Sequence, residues 1–167
     1  MSAITSFAAL ADKSAQILIL GSMPSLTSLK AQQYYAHPRN SFWPIMASLY
    51  AFDANLKYDF KVQNLMMHQV AVWDVLQSCI RHGSLDSAIV NGSRVANDVG
   101  LFLQQHPNIK LVCFNGAEAE TSFKRFVLTQ IDVKNLKLTR LPSTSPANTQ
   151  SFAQKQAAWA AALTFLE

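Results

Sequence analysis

Gln16-Ile-Leu-Ile-Leu-Gly-Ser-Met-Pro-Ser25 decides how this chain is read. Ile17 to Leu20 is an unbroken apolar run that stops at Gly21. A run this short, closed by glycine, reads as a strand buried on both faces, the kind found in parallel sheets covered by helices. The segment that follows is polar and stiff, and it passes Tyr34-Tyr-Ala-His-Pro-Arg-Asn-Ser-Phe-Trp43. In open α/β sheets ligands bind just beyond the carboxyl ends of the strands. Any chemistry in this chain therefore belongs in that loop.

Working outward, residues 69–75 read as a second strand ending near Asp74. Residues 110–114 read as a third, closed by Asn115-Gly116, and 135–141 as a fourth. Helical patterns lie between them. They cover residues 2–10, a segment from Phe42 with Ser41 as cap and Pro44 in its first turn, and 59–67. A short turn or helix follows at 84–89, then a helix capped by Asn97 and stopped by Pro107, and another over 117–128. The longest runs over 149–166, with Phe152, Gln156, Trp159, Leu163 and Leu166 on one side. Strands alternating with helices predict an α/β fold: a three-layer α/β/α sandwich around a four-stranded parallel sheet. If the strands are parallel, the segments after Leu20, after Phe114 and after Leu141 share one edge.

The 167 residues suit a single domain over 1–167 with a full core. Half of them are hydrophobic and 14% charged, which excludes a disordered chain. No apolar run reaches the ~20 residues of a membrane span. The first residues lack the pattern of a signal peptide, so a cytoplasmic protein is expected. Cys79 and Cys113 are too few for a disulfide framework, and neither lies in a metal-binding spacing. The net charge of +4 is compatible with a polyanionic partner without requiring one.

Each candidate segment has a plain reading beside a functional one. Gly21-Ser-Met-Pro-Ser25 is neither a Walker loop nor a dinucleotide fingerprint. It is either a structural turn or a cradle of backbone N–H groups for an anion. Asn40 either caps the following helix or offers its amide to water or a base edge. Tyr34 or Tyr35 either packs on the surface or stacks on a planar ligand, worth ~1–3 kcal/mol for a nucleobase. Asn115 either caps the helix after Gly116 or reads a base edge with its acceptor and two donors. Ser143-Thr-Ser-Pro146 is either an ordinary turn or a grip on phosphates. No carboxylate pair stands out, and Asp74 is the best lone acid.

Taken together, these stretches resemble the uracil-DNA glycosylase superfamily, and most closely its hypoxanthine-DNA glycosylase branch. The segments that carry the resemblance are Gly21-Ser-Met-Pro-Ser25, Gln33-Tyr-Tyr-Ala-His-Pro-Arg-Asn-Ser-Phe-Trp-Pro44, Ala71-Val-Trp-Asp-Val-Leu76, Phe114-Asn-Gly116 and Leu141-Pro-Ser-Thr-Ser-Pro-Ala147. The resemblance implies a monofunctional enzyme that flips a deaminated base out of DNA and hydrolyses its N-glycosidic bond. Where uracil-specific relatives carry an Asp or Asn to activate water, this chain has Met23, which can do neither. The resemblance passes that role to Asn40 as the catalytic residue. It implies Ser22, Met23, Tyr35 and Asn115 at the base, and His37, Arg39, Ser143, Thr144, Ser145, Pro146 and Ala147 at the DNA. No metal, Fe–S cluster or other cofactor is implied. The expected partner is DNA carrying a deaminated base, with the protein a monomer and no membrane involved. Uracil or xanthine as substrate, and a non-catalytic nucleic-acid-binding homologue, remain the alternatives.

Overall fold

Four strands build the central sheet of this computed structural model, which describes residues 1–164. They are β2 (Ile17–Gly21), β3 (Val70–Asp74), β6 (Leu111–Asn115) and β7 (Lys137–Leu141). All neighbours are parallel, in the order β3-β2-β6-β7. Alternate side chains of the strands enter two cores, as the two-residue period requires. Ile17, Ile19, Val70, Val72, Leu111 and Cys113 face one layer. It comprises α2 (Phe42–Tyr50), α3 (Tyr58–Met67) and α6 (Phe152–Leu163), which contribute Phe42, Ile45, Met46, Leu65 and Trp159. Leu18, Leu20, Ala71, Val112 and Phe114 face the other. There α4 (Val99–Gln105) and α5 (Ala117–Phe126) contribute Val99, Phe102, Ala119 and Phe123. This is the α/β/α sandwich expected from the alternation of elements.

The first segment is not the helix its apolar spacing predicts. Residues Ile4–Thr5 form β1, which pairs antiparallel with β4 (Leu76–Cys79). β5 (Val95–Ala96) completes this second, three-stranded sheet. Leu10 exchanges two backbone hydrogen bonds with Val72, covering the open edge of β3. A nine-residue helix is marginal on its own, whereas sheet edges offer unpaired N–H and C=O groups that the chain satisfies here. The helix α1 (Leu26–Ala31) was likewise not foreseen; Ser25 caps it, accepting from Ser28 N at 3.1 Å.

Caps shift by a residue or more. Asp98, not Asn97, caps α4 by accepting from Leu101 N, and Asn97 donates instead to the Asp74 carbonyl at 2.8 Å. Helix α6 starts at Phe152, where Ser151 and Gln154 form a capping box. The expected Leu166 lies outside the described residues. Trp159 is fully buried between α6 and the sheet, and its Nε1 donates to the Pro142 carbonyl at 2.9 Å. Trp159→Ala should cost about 3–5 kcal/mol, lowering the melting temperature by roughly 2–4 °C per kcal/mol. An unchanged thermal transition would remove this contact from the core.

Candidate active site

Strand register aligns the chemistry. Gly21 lies opposite Asp74, and Asn115 opposite Leu141, so the loops leaving β2, β3, β6 and β7 meet at one edge. They enclose a cleft of about 370 Å³, a size typical of ligand pockets. Ser22, Met23, Tyr35, His37, Asn40, Asn115, Ser143, Thr144, Ser145, Pro146 and Ala147 all line it. Arg39 does not; it is exposed beside the cleft.

The first loop is gripped from behind. The buried Arg81 donates from Nη2 to the Pro24 carbonyl at 2.6 Å, from Nη1 to the Met23 carbonyl at 3.5 Å and from Nε to the Gly83 carbonyl at 2.9 Å. The Met23 side chain joins a small apolar cluster with Leu76, Cys79 and Ile89. The Ser22 hydroxyl donates to Asp86 Oδ1 at 2.7 Å. Both side chains are thus committed within the protein, and the loop faces a ligand chiefly through its main chain.

The two tyrosines separate cleanly. Tyr34 is buried and tied in place: its hydroxyl donates to the Ala8 carbonyl at 2.8 Å, and its own carbonyl accepts from Trp43 Nε1 at 2.9 Å. Tyr35 has a positive φ of 55°, a strained conformation of the kind that collects at functional sites. Its ring stacks on Phe42, with centroids 4.0 Å apart, while its buried hydroxyl makes no well-formed hydrogen bond among the described residues, the Asn115 amide lying near enough only to favour its ionised form. Burial first, and then the nearby Asp74, raises the phenol pKa, so Tyr35 is a neutral donor.

Asn40, not Ser41, closes the N-terminus of α2. Asn40 Oδ1 accepts from Phe42 N at 2.9 Å, whereas Ser41 makes no side-chain cap. The adjoining Ser41 N–H donates to the Thr144 carbonyl at 3.0 Å, which joins this loop to the one after β7. Asn115 does not cap α5; Gly116, at φ 96°, holds that position. Asn115 instead pairs twice with Thr144: its Nδ2 donates to Oγ1 and its Oδ1 accepts from the backbone N, both at 2.9 Å. One N–H and one acceptor lone pair of Asn115 remain. Thr144 is fully buried, and its hydroxyl and backbone N–H hold the Asn115 amide in place. Under the same loop, Lys155 Nζ donates to the Ser145 carbonyl at 3.2 Å.

The sequence showed no carboxylate pair, but the fold makes one. Asp74 and Asp86 interact in the cleft wall, with Arg81 the opposing charge. Burial, then the Asp86 charge, pushes Asp74 up to about 7. Burial also raises Asp86, although the Ser22 hydroxyl favours its ionised form. Asp74 Oδ2 has no partner among the described residues. Arg81 and Asp86 leave little trace in sequence, since neither has a local spacing to its partners. Among the described residues no cluster of three or more His, Cys, Asp or Glu forms a metal site, and no helix is long and apolar enough to cross a membrane.

The fold and this amide-lined cleft define a class. The chain belongs to the uracil-DNA glycosylase superfamily, whose family model matches residues 8–167. It is 39% identical over 116 residues to a hypoxanthine DNA glycosylase of Methanosarcina acetivorans, covering 68% of this chain and 71% of that one. It is 31% identical over 152 residues to a hypoxanthine DNA glycosylase of Methanosarcina barkeri, covering 90% and 92%. Its fold matches the solution NMR structure of a Methanosarcina acetivorans protein assigned as a uracil DNA glycosylase, with a TM-score of 0.83, 30% identity and 99% coverage of both chains. Its place within the superfamily is the hypoxanthine-DNA glycosylase branch.

The raised Asp74 carboxyl makes stability depend on pH in a defined direction. In the unfolded chain Asp74 ionises near pH ~4; in the fold it keeps its proton to about 7. Between those values the folded state holds a proton that the unfolded state has lost, so this group's contribution to stability falls as pH rises. Asp74→Asn removes that dependence. Its melting temperature relative to the wild type should therefore climb by several degrees between about pH 4 and pH 8. A difference that stays constant with pH would show that Asp74 does not titrate as a buried acid.

Proposed function

We propose that this chain is a monofunctional DNA glycosylase that removes hypoxanthine from deoxyinosine in DNA, hydrolysing the N-glycosidic bond and leaving an abasic site. One observation carries the reading: Tyr35, Asn40 and Asn115, from loops distant in sequence, line a single cleft at the carboxyl edge of the sheet. A base inside the duplex is out of reach, so the nucleotide is everted into this cleft.

Each residue then has a part set by its bonds. Tyr35, braced on one ring face by Phe42, stacks against the everted base. Asn115, locked by Thr144, presents its remaining N–H and lone pair to the base edge. Asn40 Oδ1 accepts the Phe42 N–H, which fixes the amide and leaves its two Nδ2 hydrogens and one lone pair for a ligand. Asn40 can therefore hydrogen-bond the attacking water or donate to the departing base, but an amide does not take up the proton. As the bond breaks, negative charge develops on the purine, and preorganised donors lower that barrier. The sugar is left with cationic character, and water adds to it without a strong base. His37, Arg39, Ser143 and Ser145 face the flanking phosphates, with Pro146 and Ala147 beside the vacated position.

Uracil is a second substrate to test, because the matched NMR structure carries that assignment. A panel of oligonucleotides containing deoxyinosine, uracil or xanthine, single- and double-stranded, tests the reading. The expected outcome is fastest release of hypoxanthine. No abasic product from any of them would leave only a nucleic-acid-binding role. Asn40→Ala should slow excision by roughly 10²–10³-fold, the usual loss of one preorganised donor, while the protein stays folded; wild-type rates would take Asn40 out of the mechanism. DNA affinity should fall linearly in log–log form as salt rises, and a flat profile would argue against phosphate contacts.

A further inference from the structure

Among the described residues, two buried polar atoms in the cleft wall lack a well-formed hydrogen bond: Asp74 Oδ2, and the Tyr35 hydroxyl, which has only the Asn115 amide near it. Each such atom is costly unless something completes it. Their side chains meet beside Gly21, Asp74 through its other carboxyl oxygen, Oδ1. A Cβ built on Gly21 would lie 2.5 Å from Asp74 Oδ1 and 3.1 Å from the Tyr35 hydroxyl. Both side chains therefore crowd the space above the Gly21 backbone, and all three residues line the cleft.

We propose that Asp74 is a catalytic residue that acts in its protonated form, donating its carboxyl proton to the purine as the glycosidic bond breaks. This rests on the reading of the cleft as the pocket for the everted base. The electron pair of the C1′–N9 bond leaves with the purine. The Asp74 proton passes to a ring nitrogen of that purine, which departs neutral, and Asp74 is left as a carboxylate. Water then adds to the cationic C1′, and the proton it sheds restores Asp74 directly or through solvent. Asn40 and Tyr35 supply hydrogen bonds only. Of the ionisable groups that line the cleft, His37 lies in the half-buried loop and Asp86 is held by Ser22, which leaves the buried Asp74 carboxyl beside Gly21 and Tyr35 as the acid of this proposal.

The surroundings decide which carboxyl of the pair holds the proton. Asp86 accepts the Ser22 hydroxyl at 2.7 Å, which favours its charge. Asp74 Oδ2 accepts no hydrogen bond among the described residues. The Asp86 charge then opposes a second charge on Asp74, while Arg81 moderates it. The phenols of Tyr34 and Tyr35, both raised by burial, stay neutral and add no charge. A carboxylate at this point would repel the purine anion as it forms, whereas an acid would neutralise it.

The test is single-turnover release of hypoxanthine from a double-stranded oligonucleotide with one deoxyinosine, measured from about pH 5.5 to pH 9. The wild-type rate should be level in acid and fall tenfold per pH unit once Asp74 ionises, above about 7. Asp74→Asn should be slower by roughly 10²-fold or more in the acid range, a loss expected for a missing general acid, with no alkaline fall. Asp86→Asn removes the charge that holds the proton on Asp74, so its alkaline fall should move to lower pH. Thermal unfolding of each variant checks that it is folded. A pH-independent wild-type rate, or an Asp74→Asn protein that keeps both rate and slope, would overturn the proposal and leave the glycosylase reading standing. If the wild type releases no base from any deaminated oligonucleotide, the glycosylase reading fails and takes this one with it.

Discussion

The absence of a side chain at Gly21 is the constraint on which the site depends. Parallel register sets Gly21 against Asp74 on the neighbouring strand, and the Tyr35 hydroxyl reaches the same point from the loop beyond α1. Any Cβ there would collide with the carboxylate oxygen. Only glycine lets a carboxyl and a phenol share the end of the strand. Glycine thus closes the apolar run of β2 and also opens the floor of the cleft.

From that floor upward, the cleft is held by bonds between loops rather than within them. Thr144 takes both ends of the Asn115 amide and, through its carbonyl, the Ser41 N–H. Trp159 and Lys155 on α6 fix the carbonyls of Pro142 and Ser145 on either side of it. Two strand ends, one helix start and one long helix are thereby tied together. Such bracing is what a site needs if its donors are to stand ready where charge will develop. It also explains why both asparagines are already partly used: their positions are set by the groups that occupy them.

Much of this was legible in the sequence, and the reasons for success and failure are physical. The buried strands announced themselves because apolar runs ending in Gly, Asp or Asn leave few other readings. The order of segments shared with the superfamily then placed Tyr35, Asn40, Asn115 and the 143–147 turn on one edge. What stayed hidden depended on pairing across the fold. Residues 2–10 carry a helical spacing, but the open edges of β3 and β4 claim them. Asp74 could be singled out as a lone acid, yet its partner Asp86 lies in a short turn with no pattern to mark it. Arg81 has the same invisibility, because its acceptors are main-chain carbonyls, which any residue supplies. The sequence grouped Thr144 with its neighbours as a grip on phosphates or an ordinary turn, since a polar turn gives no sign of which member points inward.

Arg81 has a further consequence. Its guanidinium anchors the first loop through the carbonyls of Met23, Pro24 and Gly83, in a buried setting where mobile ions screen little. Exposed cations such as Arg39 are fully open to that screening. Grip on the polymer and shape of the cavity are therefore governed by separate charges. In brine the protein would loosen its hold on the strand while the mould for the base kept its form.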